Sequence, residues 1–501
     1  SEKKNVCGLS STFEPIGNSN HPFSGTIDGN IKYIKNLTID KTDSDNVGIF
    51  GYVGETSSFV GINLENITVK GGNNYVGSLI GKAQNSSVKV NEVVARNVNV
   101  IGTGTVGGIS GGYATLTNVI VKSGSVNGNS AYGIQGTQGM VNNSIIENLS
   151  IKKTSTNTKI VSLNYKESYY SNKVTVNGNA QTSGLSENAT SNINMYEYAG
   201  LDTWIGGDNN STGYYFDYEN DNSNNIVLKS VKKDPITFNL TGAGTQENPY
   251  LIKNMKEWKM LAGVPNREVY YKINNDIDLS SGHFYMIGSI GNPFNGKIDG
   301  NLSRLYNLNL DIAPADNVGM FGYVGETASF VGLNLENITV KGGNNYVGSL
   351  IGKAQNSSVK VNEVVARNVN VIGTGTVGGI SGGYATLTNV IVKSGSVNGN
   401  SAYGIQGTQG MVNNSIIENL SIKKTSTNTK IVSLNYKESY YSNKVTVNGV
   451  EQTNGFDSSY IDDLDYYTGK VETINDGDKN NTGYYFDYVQ SKNGIYLTKV
   501  K

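Results

Sequence analysis

Apolar and polar residues alternate in short runs along this chain. Ile67-Thr68-Val69 and Val98-Asn99-Val100 are examples, and a period of two marks a strand buried on one side. The runs return at intervals. An Asn followed by three strand-forming residues occurs as NLTI at Asn36, NITV at Asn66, NVNV at Asn97, NVIV at Asn118 and NLSI at Asn148, with spacings of 30, 31, 21 and 30 residues. A second series runs between them: VGIFG from Val47, VGSLIG from Val76, VGGISG from Val106 and YGIQG from Tyr132. Two interleaved series moving along together describe the stacked coils of a solenoid, in which no coil buries its inner face alone. Gly71-Gly72 and Asn127-Gly128 supply corners. The asparagines are expected inside or at corners, stacked and bonded along the axis.

A longer repeat contains the shorter one. Asn63 to Gly178 recurs residue for residue as Asn334 to Gly449, at an offset of 271. Upstream, FEPIGNSNHPFSGTIDGN from Phe13 answers FYMIGSIGNPFNGKIDGN from Phe284. Downstream, TGYYFDY occurs at Thr212 to Tyr218 and at Thr482 to Tyr488. The expected division is Ser1 to Lys233 as a first unit lacking its opening, and Asp234 to Lys501 as a second unit that has one. The fold class expected is all-β: tandem parallel β-helix units with short helical or loop caps. Six to eight coils per unit at the inter-strand rise stand on the order of 30 to 40 Å tall. Met255 to Ala262 is the one expected short helix, its Trp258 and Leu261 covering the open end of a coil stack.

Composition narrows the partners. The formal net charge is -1, and only Arg96, Arg267, Arg304 and Arg367 are arginine. A surface that neutralises phosphates carries a basic excess, so nucleic acid is not an expected partner, nor is an anionic membrane surface. Cys7 is the single cysteine, which excludes a disulfide framework within the chain. The sequence holds no 20-residue apolar span, so membrane insertion of this segment is not expected.

The VGIFG and VGGISG strings, with NLT-type strands between them, resemble the GLUG-motif repeats of bacterial surface proteins, which also occur upstream of the catalytic part of some IgA-cleaving metalloproteases. GTQENPYLIKNMKEWKMLAG (Gly244 to Gly263) looks like the opening of such a region. PFSGTIDGN (Pro22 to Asn30) and PFNGKIDGN (Pro293 to Asn301) look like the turn before its first rungs. The resemblance covers most of the chain and implies a right-handed β-helix at a secreted or cell-surface location. It departs at YGIQG, which lacks the Val, and at TGYYFDY, which has Tyr where such repeats often place Trp.

Candidate chemistry is sparse. His21 and His283 fall at non-equivalent places, and no HExxH is present. Glu65, Glu92 and Glu147 are scattered beside strand-forming runs and are expected on a solvated face rather than paired for glycoside chemistry. Asp476, Asp478, Asn480 and Asp487 place oxygens at relative positions 1, 3, 5 and 12, which echoes a calcium loop, although Asn481 stands where such a loop has Gly. A polar turn is the simpler reading, with calcium the only cofactor suggested. Tyr214, Tyr215, Tyr484 and Tyr485, and the pairs Tyr169-Tyr170 and Tyr440-Tyr441, could stack sugars or dock a protein. At most one of each adjacent pair faces outward on a strand, and packing in the core or a cap is the plainer role. The resulting expectation is a non-enzymatic structural or adhesive stalk whose partners are its neighbouring units and a host glycan or protein receptor. Alternatives are a glycan-binding module or a carbohydrate-active β-helix enzyme.

Overall fold

A strand that wraps around a solenoid must bend where a residue accepts positive φ. The computed structural model describes residues 13–185, 212–219, 225–230, 232, 240–263, 268–282, 284–458, 482–489 and 494–499. In it, strand Ser58–Lys70 bends at Gly61 (φ 68°) and Asn66 (φ 55°). Strand Lys89–Ile101 bends at Glu92 (φ 50°) and Asn97 (φ 52°). After Gly, Asn enters this region at the lowest cost. Each long strand is therefore three straight segments joined by two corners.

The strands stack parallel and in register. Ile67 lies beside Val98, and Val69 beside Val100, Val126 and Ile151 in successive rungs. All of these side chains are buried, each contributing on the order of 1.5–3 kcal/mol. The result is a β-solenoid of about 14 turns. It divides into two compact units, Ser1–Ser191 with Tyr198–Thr237 and Phe238–Lys501 with Asn192–Glu197. In the first, the order of rungs follows the chain from Tyr33–Asp40 through Ser58–Lys70, Lys89–Ile101, Thr115–Gly128 and Ile145–Lys153 to Thr175–Val176. The second repeats that order behind Tyr250–Ile252 and Tyr270–Ile273.

The Val-Gly series forms a further side of each coil. Val47, Val76 and Val106 are aligned, and Ala131 takes the next place, so the string in the last rung is AYGIQG rather than a YGIQG without its Val. Its glycines are demanded by the stacking. A Cβ on Gly77 would lie 2.3 Å from the Ile80 carbonyl oxygen, and one on Gly111 would lie 2.3 Å from that of Gly81.

The asparagine series needs one correction. Asn66 Nδ2 donates to Asn36 Oδ1 at 3.1 Å, and Asn97 Nδ2 to Asn66 Oδ1 at 2.8 Å, along an exposed corner. The next position in that corner is Ser123, whose hydroxyl accepts from Asn97 N at 3.0 Å. Asn118 sits at the other bend, between Glu92 (2.8 Å) and Asn143 (2.7 Å). The 21-residue spacing was a change of corner and not a short coil.

Helix Met255–Gly263 begins at Asn254, whose Oδ1 accepts from Glu257 N at 3.1 Å while the Glu257 carboxylate accepts from Lys253 N. Trp258 and Leu261 are fully buried. The Trp258 ring lies 5.9 Å from Phe284 and 5.8 Å from Phe321, on an aromatic stack that continues through Phe294 and Phe330. Trp258 Nε1 donates to Tyr285 O at 3.3 Å. This is the covering role expected of the helix.

Replacing Ile67, buried at the centre of its column, with Asp puts an unpaired charge among apolar neighbours, at a cost on the order of 3–5 kcal/mol. Thermal melting should fall sharply for Ile67→Asp and little for Thr68→Asp on the outer side. An Ile67→Asp chain that melts like the parent would refute the inward register.

Candidate functional site

In three successive coils of each unit, one outer side is apolar as well. Val93, Val94 and Ala95 are all buried, as are Val119, Ile120 and Val121. Adjacent strand residues point to opposite sides, so something must cover Val94, Ile120 and Ile145 from outside. In the second unit their counterparts Val365, Ile391 and Ile416 form a cluster with Tyr484, Phe486 and Leu497. These last belong to an antiparallel hairpin, Tyr484–Val489 with Gly494–Lys499, in which Phe486 faces Leu497. In the first unit the hairpin is Tyr214–Tyr218 with Ile226–Ser230.

The tyrosines nominated from sequence therefore cover a sheet. Tyr214, Tyr215 and Tyr484 are each 4% exposed, and Tyr485 is half-buried. The Tyr214 hydroxyl donates to the Asp28 carboxylate and that of Tyr484 to Asp299. Burial, then the adjoining carboxylate, pushes both phenols up. Each ring lies where a side chain on Gly61 or Gly332 would stand, 2.6 and 2.8 Å from the nearest ring carbon. Arg96 Nη2 donates to Ile226 O at 3.5 Å, and Lys122, salt-bridged to Glu147 at 3.2 Å, also reaches Asn225 Oδ1 at 3.2 Å. Desolvation lowers the Lys122 ammonium despite Glu147. Tyr169, Tyr170 and Tyr441 are half-buried, and Tyr440 is 37% exposed.

Glu92 departs from the solvated face expected of it. It is 1% exposed, and burial raises its carboxyl from 4.5 to about 7 against the pull of hydrogen bonds from Asn118 and Thr212. The hairpin that covers it begins more than a hundred residues later, so nothing near Glu92 in sequence announced its burial. Glu65 is half-buried in register with Arg96, and Glu147 is paired as described. His21 is exposed in a turn closed by Asn18. His283, Cys7, Asp476, Asp478 and Asn480 lie outside the described residues. The Asp487 backbone pairs opposite Tyr496 in the second hairpin. In the first hairpin, Asp217 is salt-bridged to Lys229 at 3.0 Å.

A cluster that sequence reasoning missed lies at the Val-Gly corner. The Lys82 ammonium stands 4.6 Å from the Tyr75 ring centroid, 5.4 Å from Tyr113 and 5.7 Å from Tyr52. In the second unit, Lys353 is 4.6, 5.2 and 5.9 Å from Tyr346, Tyr384 and Tyr323. The hydroxyls of Tyr75 and Tyr113 are 3.4 Å apart, and this hydrogen bond, with burial, raises Tyr75 to about 12. All eight side chains are half-buried. The available signal was NNYVG, with Tyr75 where the preceding rung has SDNVG and Asn46.

No protein-family model matches the chain. Halomucin of Haloquadratum walsbyi is 29% identical over 154 residues, which is 29% of this chain and 2% of that protein. A protein of Evansella cellulosilytica named "Putative Gly-rich membrane protein" is 31% identical over 122 residues, 22% of this chain and 14% of its own length. The chain thus spans a small part of either relative. Among solved structures, that of a "putative immunoglobulin A1 protease" from Bacteroides ovatus aligns with a TM-score of 0.31 and 18% identity, over 43% of this chain and 81% of that one. Among the described residues, no helix is long and apolar enough to cross a membrane.

Glu92 gives the first unit a pH dependence of definite sign. Below the ordinary carboxyl range both folded and unfolded states are protonated, and the folded state keeps its full stability. As pH rises toward about 7 the unfolded state ionises first, so stability falls by on the order of 3 kcal/mol and then levels off. Melting measured from pH 4 to 8 should show this decline in the parent and lose it in Glu92→Gln. Identical pH profiles for the two would contradict the buried, protonated state.

Proposed function

We propose that the chain is a non-enzymatic structural and adhesive repeat segment of a secreted or cell-surface bacterial protein. The observation that carries this reading is the duplication: 116 residues, Asn63 to Gly178, are copied without change, and each copy has its own core and its own covering hairpin. Such a unit can be added without disturbing its neighbour, because solenoid stability is a sum of local rung contacts. The copied run contains no His, Cys or Trp and a single Arg, Arg96, which leaves little for catalysis. The surface location is supported by the GLUG-like strings and by the relative named as a membrane protein.

An enzyme would most naturally use Glu92, whose proton affinity suits a general acid at neutral pH. The hairpin closes that carboxyl off from any substrate, which favours the structural reading. The reading calls for no cofactor and needs no calcium at Asp476, Asp478, Asn480 and Asp487.

A fragment containing residues 234–501 should fold by itself and melt cooperatively, and chelator should leave its melting unchanged. The full chain should turn over neither polysaccharide nor peptide. Turnover abolished by one carboxylate substitution would overturn the non-enzymatic reading. A chelator-sensitive melt, lost in Asp476→Asn, would instead assign calcium to that set of residues.

A further inference from the structure

We propose that Tyr52, Tyr75, Lys82 and Tyr113, with their copies Tyr323, Tyr346, Lys353 and Tyr384, form one binding site per unit for a carbohydrate bearing isolated carboxylate groups. This rests on the adhesive part of the proposed function and gives it a ligand class.

The first argument is strain. Tyr75 and Tyr346 sit at φ 58°, and Tyr113 and Tyr384 at φ 75°, a region that bulky side chains avoid. The fold does not require tyrosine at the first of these places, Tyr75 and Tyr346. In the preceding rung the corner place of Tyr75 is held by Asn46 at φ 57°, and in the second unit Asn317 at φ 56° precedes Tyr346. Asparagine thus makes the same turn with less strain. Strained residues that cluster on a surface are retained where they serve a site.

The second argument is the state of the lysine. Among the described residues, Lys82 and Lys353 have no carboxylate partner, and each ammonium is held by ring faces alone. Cation–π contact fixes a charge without using its capacity to donate hydrogen bonds. A neutral-ringed, half-exposed ammonium is poised to meet an anion.

The third argument is layout. Tyr52 and Lys82 are in register on adjacent rungs. Ala83 N donates to Gly112 O at 3.0 Å, which brings Tyr113 in on the next. Ring, ammonium and ring therefore follow one another along the solenoid axis at about the inter-strand spacing. An extended chain of sugars can lay C–H faces on the phenol rings, share hydroxyls with Tyr75 and Tyr113, and set a carboxylate against the lysine. Asp45 and Asp316 lie beside Tyr75 and Tyr346, accepting the backbone amides of Asn74 and Asn345 at 2.8 Å. They would repel a second nearby acid group, so the site suits sparse carboxylates and disfavours a densely charged polyanion. Tyr52 and Tyr323 lie outside the identical run and are nevertheless both tyrosine.

The test is calorimetric titration of the full chain with a hyaluronan decasaccharide, a chitin oligosaccharide of similar length and heparin. Two sites per chain are expected for the hyaluronan fragment, with at least about tenfold weaker binding of the neutral one. The Lys82→Gln/Lys353→Gln pair should lose that preference. Tyr75→Asn/Tyr346→Asn is the decisive variant: it should lose binding and melt at a higher temperature, because the strain is relieved. No binding at millimolar ligand, a preference for heparin, or unchanged binding in these variants would overturn the proposal. So would a lower melting temperature for the tyrosine variant, which would make the cluster a staple between rungs.

Discussion

The stacked rungs of each unit answer to the in-register pairing of parallel strands one inter-strand spacing apart. At that distance, a residue in one rung is met directly above and below by its counterparts, so each position must suit three copies of itself. Val69, Val100, Val126 and Ile151 satisfy this inside. Asn36, Asn66 and Asn97 satisfy it at the corner by donating from one amide to the next. Gly77 and Gly111 satisfy it where backbone meets backbone and no Cβ has room. The second unit reaches the same solution with the same residues, including the paired Glu363 and Asn389 at 2.8 Å.

The strand pattern that repeats from rung to rung could be read from the sequence, because stacking writes the same word at each turn. The strands around Ile67 and Val98, the capping helix with Trp258 and the parallel solenoid all follow from local pattern. Asn118 misled because it carries the right letters at a different corner, and only the pairing with Glu92 and Asn143 separates the two columns. Ala131 was passed over because it keeps the place of Val106 but not its identity.

The hairpin is a different kind of contact. It is made once per unit, between residues such as Asp28 and Tyr214 that are far apart in the chain, and no period announces it. That is why Glu92 read as a solvated carboxylate, and why the TGYYFDY tyrosines could be given to a core or cap but not to the face they cover. Val93, Val94 and Ala95 did carry a hint: three apolar residues in a row on a strand require cover on both sides. The strained tyrosines at Tyr75 and Tyr113 escaped for the opposite reason. Their role rests on a backbone conformation, which a letter does not display.

Because the hairpin follows the face it covers, synthesis and folding are out of step. Rungs can stack as they emerge, each on the one before. The outer face at Val94, Ile120 and Ile145 stays bare until residue 214 appears, 69 residues after Ile145. At about 5–20 residues per second, that leaves it uncovered for on the order of 3–14 s. The polar spacing of the face, with Arg96, Lys122 and Glu147 along its border, then acts as a temporary guard for a molecule that cannot yet close itself.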